Sequence, residues 1–305
     1  MSYFKLLEKE KDILSDILIA KGVKKEHLTF GLPAVLNKEP RTPTDLRSEF
    51  LANRAMGDWA ENILANAIDQ QINDFHVIHY GESDTISAGD AGFKEFFINR
   101  WKEVGIYGKR PDLLIMPNNI SYAKDVSSSK TEELIDLVKK AYFSIEVRSS
   151  KFEAKTYMRV RKEEKDNPQK KNPANMSPSF TVKVEDLLIV YRWISLHHCP
   201  QIYCQVFFDC IYAINFLEIF RIIASGKGFR IETPAKSQLK STIMIPITSG
   251  KSVGNFLSSP SYETELKITR LGRHDAFVKP VGGEVILDKE SLVEVAASSA
   301  ASSTH

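Results

Sequence analysis

Between residues 4 and 20, Phe4, Leu6, Leu7, Ile13, Leu14, Ile17 and Leu18 recur at near-helical spacing with Lys and Glu between them. This periodicity predicts an amphipathic helix that Gly22 ends. Three prolines between residues 30 and 43 interrupt the pattern and predict an irregular connection. A longer helix is expected from Thr44 or Asp45, where Leu46, Phe50, Met56, Trp59, Ile63 and Ala67 repeat every three to six residues. A short strand at 76–80, a turn-rich stretch at 81–92 dense in Gly, Asp and Ser, and a helix from 93 to about 104 follow.

Beyond residue 110 the period shortens. Residues 111–116 and 142–148 are apolar, β-rich runs, and 130–140 between them is helical in composition. Residues 180–184 alternate as a strand, 185–198 read as a helix, and 201–208 are apolar and β-prone. From 231 onward, short β-like runs at 242–247, 265–269 and 284–287 alternate with Gly, Pro and Ser turns, and the Ala/Ser-rich tail from 296 is expected to be disordered. The pattern predicts an α/β fold with a mixed central sheet flanked by helices. The expected organisation is an N-terminal helical segment (1–43), a core (44–230), a β-rich C-terminal region (231–295) and the tail (296–305).

Composition narrows the function classes only slightly. With 41 Lys plus Arg against 39 Asp plus Glu, the net charge of +2 supports no nucleic-acid binding by itself, so local distribution has to carry any such claim. Three cysteines, Cys199, Cys204 and Cys210, fit a reducing compartment better than a disulfide framework. The first residues lack the uninterrupted apolar stretch of a signal peptide, and no run of about 20 apolar residues occurs. A cytoplasmic protein is expected. Cys204 and Cys210 fall in an apolar β-like run and behave as small core residues rather than zinc ligands. The phosphate-binding loop suggested by Gly250, Lys251 and Ser252 fails because position 245 is Ile.

Two acids stand out against this background. Asp112 lies at the start of one apolar run, and Glu146 lies inside the next, flanked by Ile145 and Val147. A carboxylate amid such residues is costly unless something positive or hydrogen-bonding meets it. A hard divalent cation would do so, because Mg²⁺ takes oxygen ligands, usually one or two carboxylates plus waters. Since side chains alternate along a strand, Glu146 and Arg148 point the same way. The structural alternative makes Asp112 a strand-entry turn residue and pairs Glu146 with Arg148 or Arg110.

The run Arg110-Pro-Asp-Leu-Leu-Ile-Met116 followed by Ser144-Ile-Glu-Val-Arg-Ser-Ser150 resembles the PD-(D/E)XK motif of restriction endonucleases. The resemblance covers roughly residues 45 to 210. It implies a restriction-endonuclease-like core, hydrolysis of phosphodiester bonds in double-stranded DNA at a short sequence, and Mg²⁺ held by Asp112 and Glu146. It also implies a cation beside the acids. The family's Lys, two positions after the second acid, is replaced here by Arg148, which can clamp a phosphate but cannot accept a proton. Lys151 is the other candidate, provided that a bulge or strand end turns it inward. Glu61, in Gly57-Asp-Trp-Ala-Glu61, matches an extra acid that many members carry on the preceding helix, and Gln205 is a further candidate polar contact. Ala88-Gly-Asp-Ala-Gly-Phe-Lys-Glu95, with Lys109-Arg-Pro-Asp112, is similar to the AccI type of restriction enzyme.

Residues 151–171 hold eight Lys or Arg and four Asp or Glu, directly after the second motif run. Lys155, Arg159, Arg161 and Lys162 are therefore placed to hold phosphates, supplying affinity without sequence information. Cutting both strands of a palindromic site calls for two sites related by a twofold axis, so a homodimer is expected.

Overall fold

The computed structural model describes residues 2–28, 48–82, 91–166, 177–233, 241–268 and 272–297. The proline-rich connection, most of the turn-rich stretch at 81–92 and nearly all of the tail lie outside these residues.

The strands come from runs that the alternation picks out. β1 (Phe75–His79), β2 (Leu113–Pro117), β3 (Phe143–Ser149), β5 (Gln201–Val206) and β6 (Cys210–Asn215) lie side by side in a seven-stranded sheet. Its edge beyond β6 is completed by β9 (Lys251–Ser258) and β12 (Glu284–Leu287), giving the order β1-β2-β3-β5-β6-β9-β12. Two strands of the C-terminal β-rich region thus belong to the sheet that carries the motif strands. The sheet is mixed: β3 and β5 run parallel, and the other neighbours are antiparallel. A parallel pair needs a crossover. Here it contains α6 (Ala154–Lys165), β4 (Ser179–Lys183) and α7 (Val184–His197).

Helices cover both faces. On one, α3 (Ser48–Gln71) and α9 (Lys289–Ala297) bury Leu64, Ile68, Leu292 and Val295 against Leu113, Ile115, Ile145, Ile202 and Val206. On the other, α1 (Tyr3–Ala20), α7 and α8 (Phe216–Ala224) bury Leu7, Leu14, Trp193 and Phe220 against Leu114, Met116 and Tyr203. α1 ends as expected at Gly22, whose φ of +90° closes the helix in the left-handed region. α2 (Lys25–Leu28) and α4 (Phe93–Tyr107) lie before the motif strands. The stretch predicted as helical at 130–140 is a 3₁₀ turn, Thr131–Leu134, running into the single turn α5 (Ile135–Val138).

β4 forms as the alternation predicts but pairs with β8 (Thr242–Pro246), which pairs with β7 (Arg230–Glu232), in a separate small sheet. β10 (Ser261–Ile268) and β11 (His274–Val281) form a two-stranded ribbon. The ribbon's charges balance internally: Lys279 pairs with Glu263 and Glu265, and Arg273 with Asp275. All three cysteines are buried thiols. Among the described residues no helix is long and apolar enough to cross a membrane.

Candidate active site

Register brings the two acids together. Leu113 pairs with Ile145 and Leu114 with Ser144, so one step further Asp112 lies opposite Glu146. Asp112 is tied to both neighbours of β2. Its Oδ2 accepts from the Val147 amide at 2.6 Å, and its carbonyl accepts from the amides of Tyr80 and Gly81, each at 2.9 Å.

Alternation along β3 then divides the strand. Phe143, Ile145 and Val147 pack into the core beneath α3, whereas Ser144, Glu146 and Arg148 lie opposite Gln201, Tyr203 and Gln205 of β5 on the α7 side. Glu146 is only 2% exposed. Its Oε1 forms an ion pair with Arg148 Nη2 at 2.8 Å and accepts from Lys109 Nζ. Asp186, in the first turn of α7, binds the same two cations through one oxygen, at 3.2 Å from Lys109 Nζ and 3.3 Å from Arg148 Nη2. The second oxygen of Glu146, Oε2, is buried and has no hydrogen-bond partner. An ionised oxygen in that position is costly unless a cation or donor reaches it.

Glu61 comes from α3, on the opposite face of the sheet, and meets Asp112 in a cleft of about 520 Å³ that is also lined by Arg54, Asp58, Arg100 and Lys109. Burial, reinforced by the negative charges of Asp112, Asp58 and Glu146, pushes the Glu61 carboxyl up to about 8. Burial and then Glu146 raise Asp112 as well, against the opposing pull of Lys109 and Arg148. Both acids thus bind a proton in the folded chain at pH values where the unfolded chain has lost it. Stability measured in chelator is therefore expected to fall as pH rises from about 4 to about 8. Thermal unfolding across that range checks this, and Glu61→Gln should flatten the slope; a wild-type midpoint that climbs over the interval would contradict it.

Lys109 and Asp186 escape sequence reasoning. Lys109 stands only as part of the run resembling the AccI type, and nothing local marks it as facing Glu146. Burial opposes ionisation of Asp186, but Lys109, Lys183 and Arg148 hold its carboxyl below the usual range. Burial likewise pulls Lys109 down, and Asp186 and Glu146 more than reverse it, leaving its ammonium above its ordinary value. Lys151 is exposed beyond the end of β3 and joins none of the ion pairs around Glu146. Of the two cations proposed for Glu146 in the structural alternative, Arg148 does pair with it. Arg110 turns away, donating to the Ser129 and Val126 carbonyls and stacking on Tyr80. Gln205 is buried, and its amide donates to Ser150 Oγ.

Within the described part of the basic segment, residues 154–165 form α6, whose first amides, at Ala154 and Lys155, are capped by the Asp209 carboxylate at 2.8 Å each, and residues 167–171 lie outside the described residues. Lys155 Nζ donates to Asn255, Arg159 pairs with Glu163, Arg161 with Glu164, and Lys162 is exposed. None of the four joins the ion pairs at Glu146.

Among the described residues no group of three or more His, Cys, Asp or Glu side chains is arranged to hold a metal ion. The acids opposed across β2 and β3 are two, and two carboxylates completed by water suffice for Mg²⁺. The bare, buried Oε2 of Glu146, on the residue opposite Asp112, fits such an ion as a free oxygen ligand.

No curated protein and no solved structure matches the chain. Its sequence matches the AccI restriction endonuclease family over residues 16–168 and 153–301, segments that together span well over half its length. The chain belongs to the AccI restriction endonuclease family.

Proposed function

We propose that the chain is a type II restriction endonuclease that uses Mg²⁺ to hydrolyse double-stranded DNA at a short specific sequence, with a restriction-endonuclease-like core. The observation that carries this reading is the cross-strand pair Asp112 and Glu146, with one oxygen of Glu146 buried and partnerless. The ion would be held by these two carboxylates and would supply polarisation of the phosphate and activation of a water. In the overall reaction a water oxygen bonds to phosphorus as one P–O ester bond breaks, and the departing oxygen takes up the proton that the water gives up. Glu61 adds a third acid at the cleft. Arg148 neutralises Glu146 and cannot act as the proton acceptor. Lys155, Arg159, Arg161 and Lys162 on α6 would contact phosphates. Cleavage of both strands at a twofold-symmetric site makes the working unit a homodimer acting in the cytoplasm.

Incubating unmodified phage DNA with the protein and Mg²⁺, and sequencing the fragment ends, tests the reading. Discrete fragments sharing one short sequence at every end are expected. Ragged or structure-dependent ends would contradict site-specific restriction and favour a repair nuclease.

A further inference from the structure

We propose that Lys109, anchored by Asp186, is the lysine that stabilises the reacting phosphate, the role that the sequence divides between Arg148 and Lys151. The proposal rests on the metal-dependent nuclease reading above. Its basis is where the chain sets Lys109. Lys109 lines the acidic cleft beside Asp112, and its ammonium also reaches Glu146 Oε1, so one lysine borders the open cleft and touches a metal-binding acid. Lys151 has neither contact.

The placement is built into the fold. Asp186, Ile189 and Trp193 follow one another at three- and four-residue spacing, so they share one face of α7. The segment before β2 lies on that face. Gly108, at φ +84°, presses its backbone onto the helix, and a Cβ there would come 2.7 Å from Trp193 Cα. The next amide, Lys109 N, donates to the Ile189 carbonyl at 3.0 Å. One turn earlier on the same face, Asp186 receives the Lys109 side chain. Backbone and side chain of Lys109 are therefore fixed by the same helix, and the carboxylate that holds it sits in the favourable first turn.

Lys109 then serves as a donor to the non-bridging phosphate oxygen that gains charge as water attacks, and it transfers no proton. Asp186 is a positioning residue. It binds the ammonium independently of Glu146, so Lys109 stays in place when Glu146 turns its charge to a metal ion.

The two roles give opposite signatures in metal binding, which needs no catalysis to read. With Mn²⁺ as the probe, followed by the resonance of the free ion, Lys109→Met removes a positive charge competing for Glu146 and is expected to tighten binding several-fold. Asp186→Asn removes a negative charge and leaves Lys109 to Glu146 alone, so it is expected to weaken binding several-fold. Cleavage of plasmid DNA with Mg²⁺ should fall about 100- to 1,000-fold in Lys109→Met, recover in part in Lys109→Arg, and stay within about threefold of wild type in Lys151→Ala. The Lys109 anchor on Ile189 is backbone, so the Met variant keeps it. A Lys109→Met protein that cuts as fast as wild type overturns the proposal. So does a Lys151→Ala protein that loses as much activity, or weaker Mn²⁺ binding in both Lys109→Met and Asp186→Asn, which would mean a structural role only. A wild type that binds Mn²⁺ yet cuts no DNA would remove the nuclease reading itself, and this proposal with it.

Discussion

Replacing Glu146 by Gln is expected to lower Mg²⁺-dependent DNA cleavage at least about 1,000-fold while leaving the protein folded and able to bind DNA. Glutamine has nearly the same shape, so the packing of Ile145 and Val147 on either side is undisturbed, and an amide oxygen can still accept from Arg148 or Lys109. What disappears is the negative charge and the bare Oε2. A neutral amide is a poor ligand for a hard dication beside a single remaining carboxylate, Asp112. Asp186 still pairs with both cations, which is why the loss falls on metal binding more than on the fold. Loss of one acid near the phosphates should also strengthen DNA binding measured in chelator, because repulsion is reduced. Burial and Glu146 together hold the Asp112 carboxyl up, so Asp112 should ionise at lower pH in the variant. Single-turnover cleavage and a gel-shift titration read these effects; cleavage within tenfold of wild type would remove Glu146 from the metal site.

Gly108→Ala should destabilise the chain by about 3 kcal/mol or more, lowering the thermal midpoint by roughly 5–10 °C. Two penalties coincide at this residue. Its φ of +84° is one that alanine adopts only under strain, and the added methyl would collide with Ile189 and Trp193 backbone, which cannot move aside as a side chain tip could. Relief would need the segment to lift from α7. That would break the amide bond of Lys109 to Ile189 and withdraw the Lys109 ammonium from Asp186 and Glu146. Cleavage should therefore decline even where the variant is fully folded. Gly57 is the control: it lies within α3 with open space where its Cβ would be, so Gly57→Ala should gain up to about 1 kcal/mol. A Gly108→Ala protein that unfolds at the wild-type temperature would show that the close approach is not there.

The contrast between Glu146 and Lys109 shows what the chain discloses by itself. Asp112 and Glu146 are legible because each sits on a short apolar run where a carboxylate is conspicuous, and the period of two fixes which neighbours share its face. Lys109 is not, because its place is set by a helix that begins far later in the chain. The alternation of a strand says nothing of a lysine delivered from outside it. Glu61 is legible only through resemblance, since on its own helix it is one of many polar positions. For the fold, alternation marks β4 as a strand but cannot say that it leaves the main sheet for β8. β6 runs directly into α8 with no Gly or Pro between them, so no turn residue divides them. The divider is Asn215, whose side chain accepts from the Leu217 amide and caps α8, a signal that was available in the sequence. β10 is almost wholly exposed, so its pairing partner β11, rather than a buried face, defines it.

The central claim, that Asp112 and Glu146 hold the ion that drives cleavage, is tested most directly by the initial rate of plasmid cleavage across a Mg²⁺ titration, comparing wild type with Asp112→Asn. The wild-type rate should be nil in chelator, rise with Mg²⁺ and saturate, while Asp112→Asn stays at background throughout. A wild type that fails to cut at any Mg²⁺ concentration, or an Asp112→Asn protein that follows the wild-type curve, would contradict it.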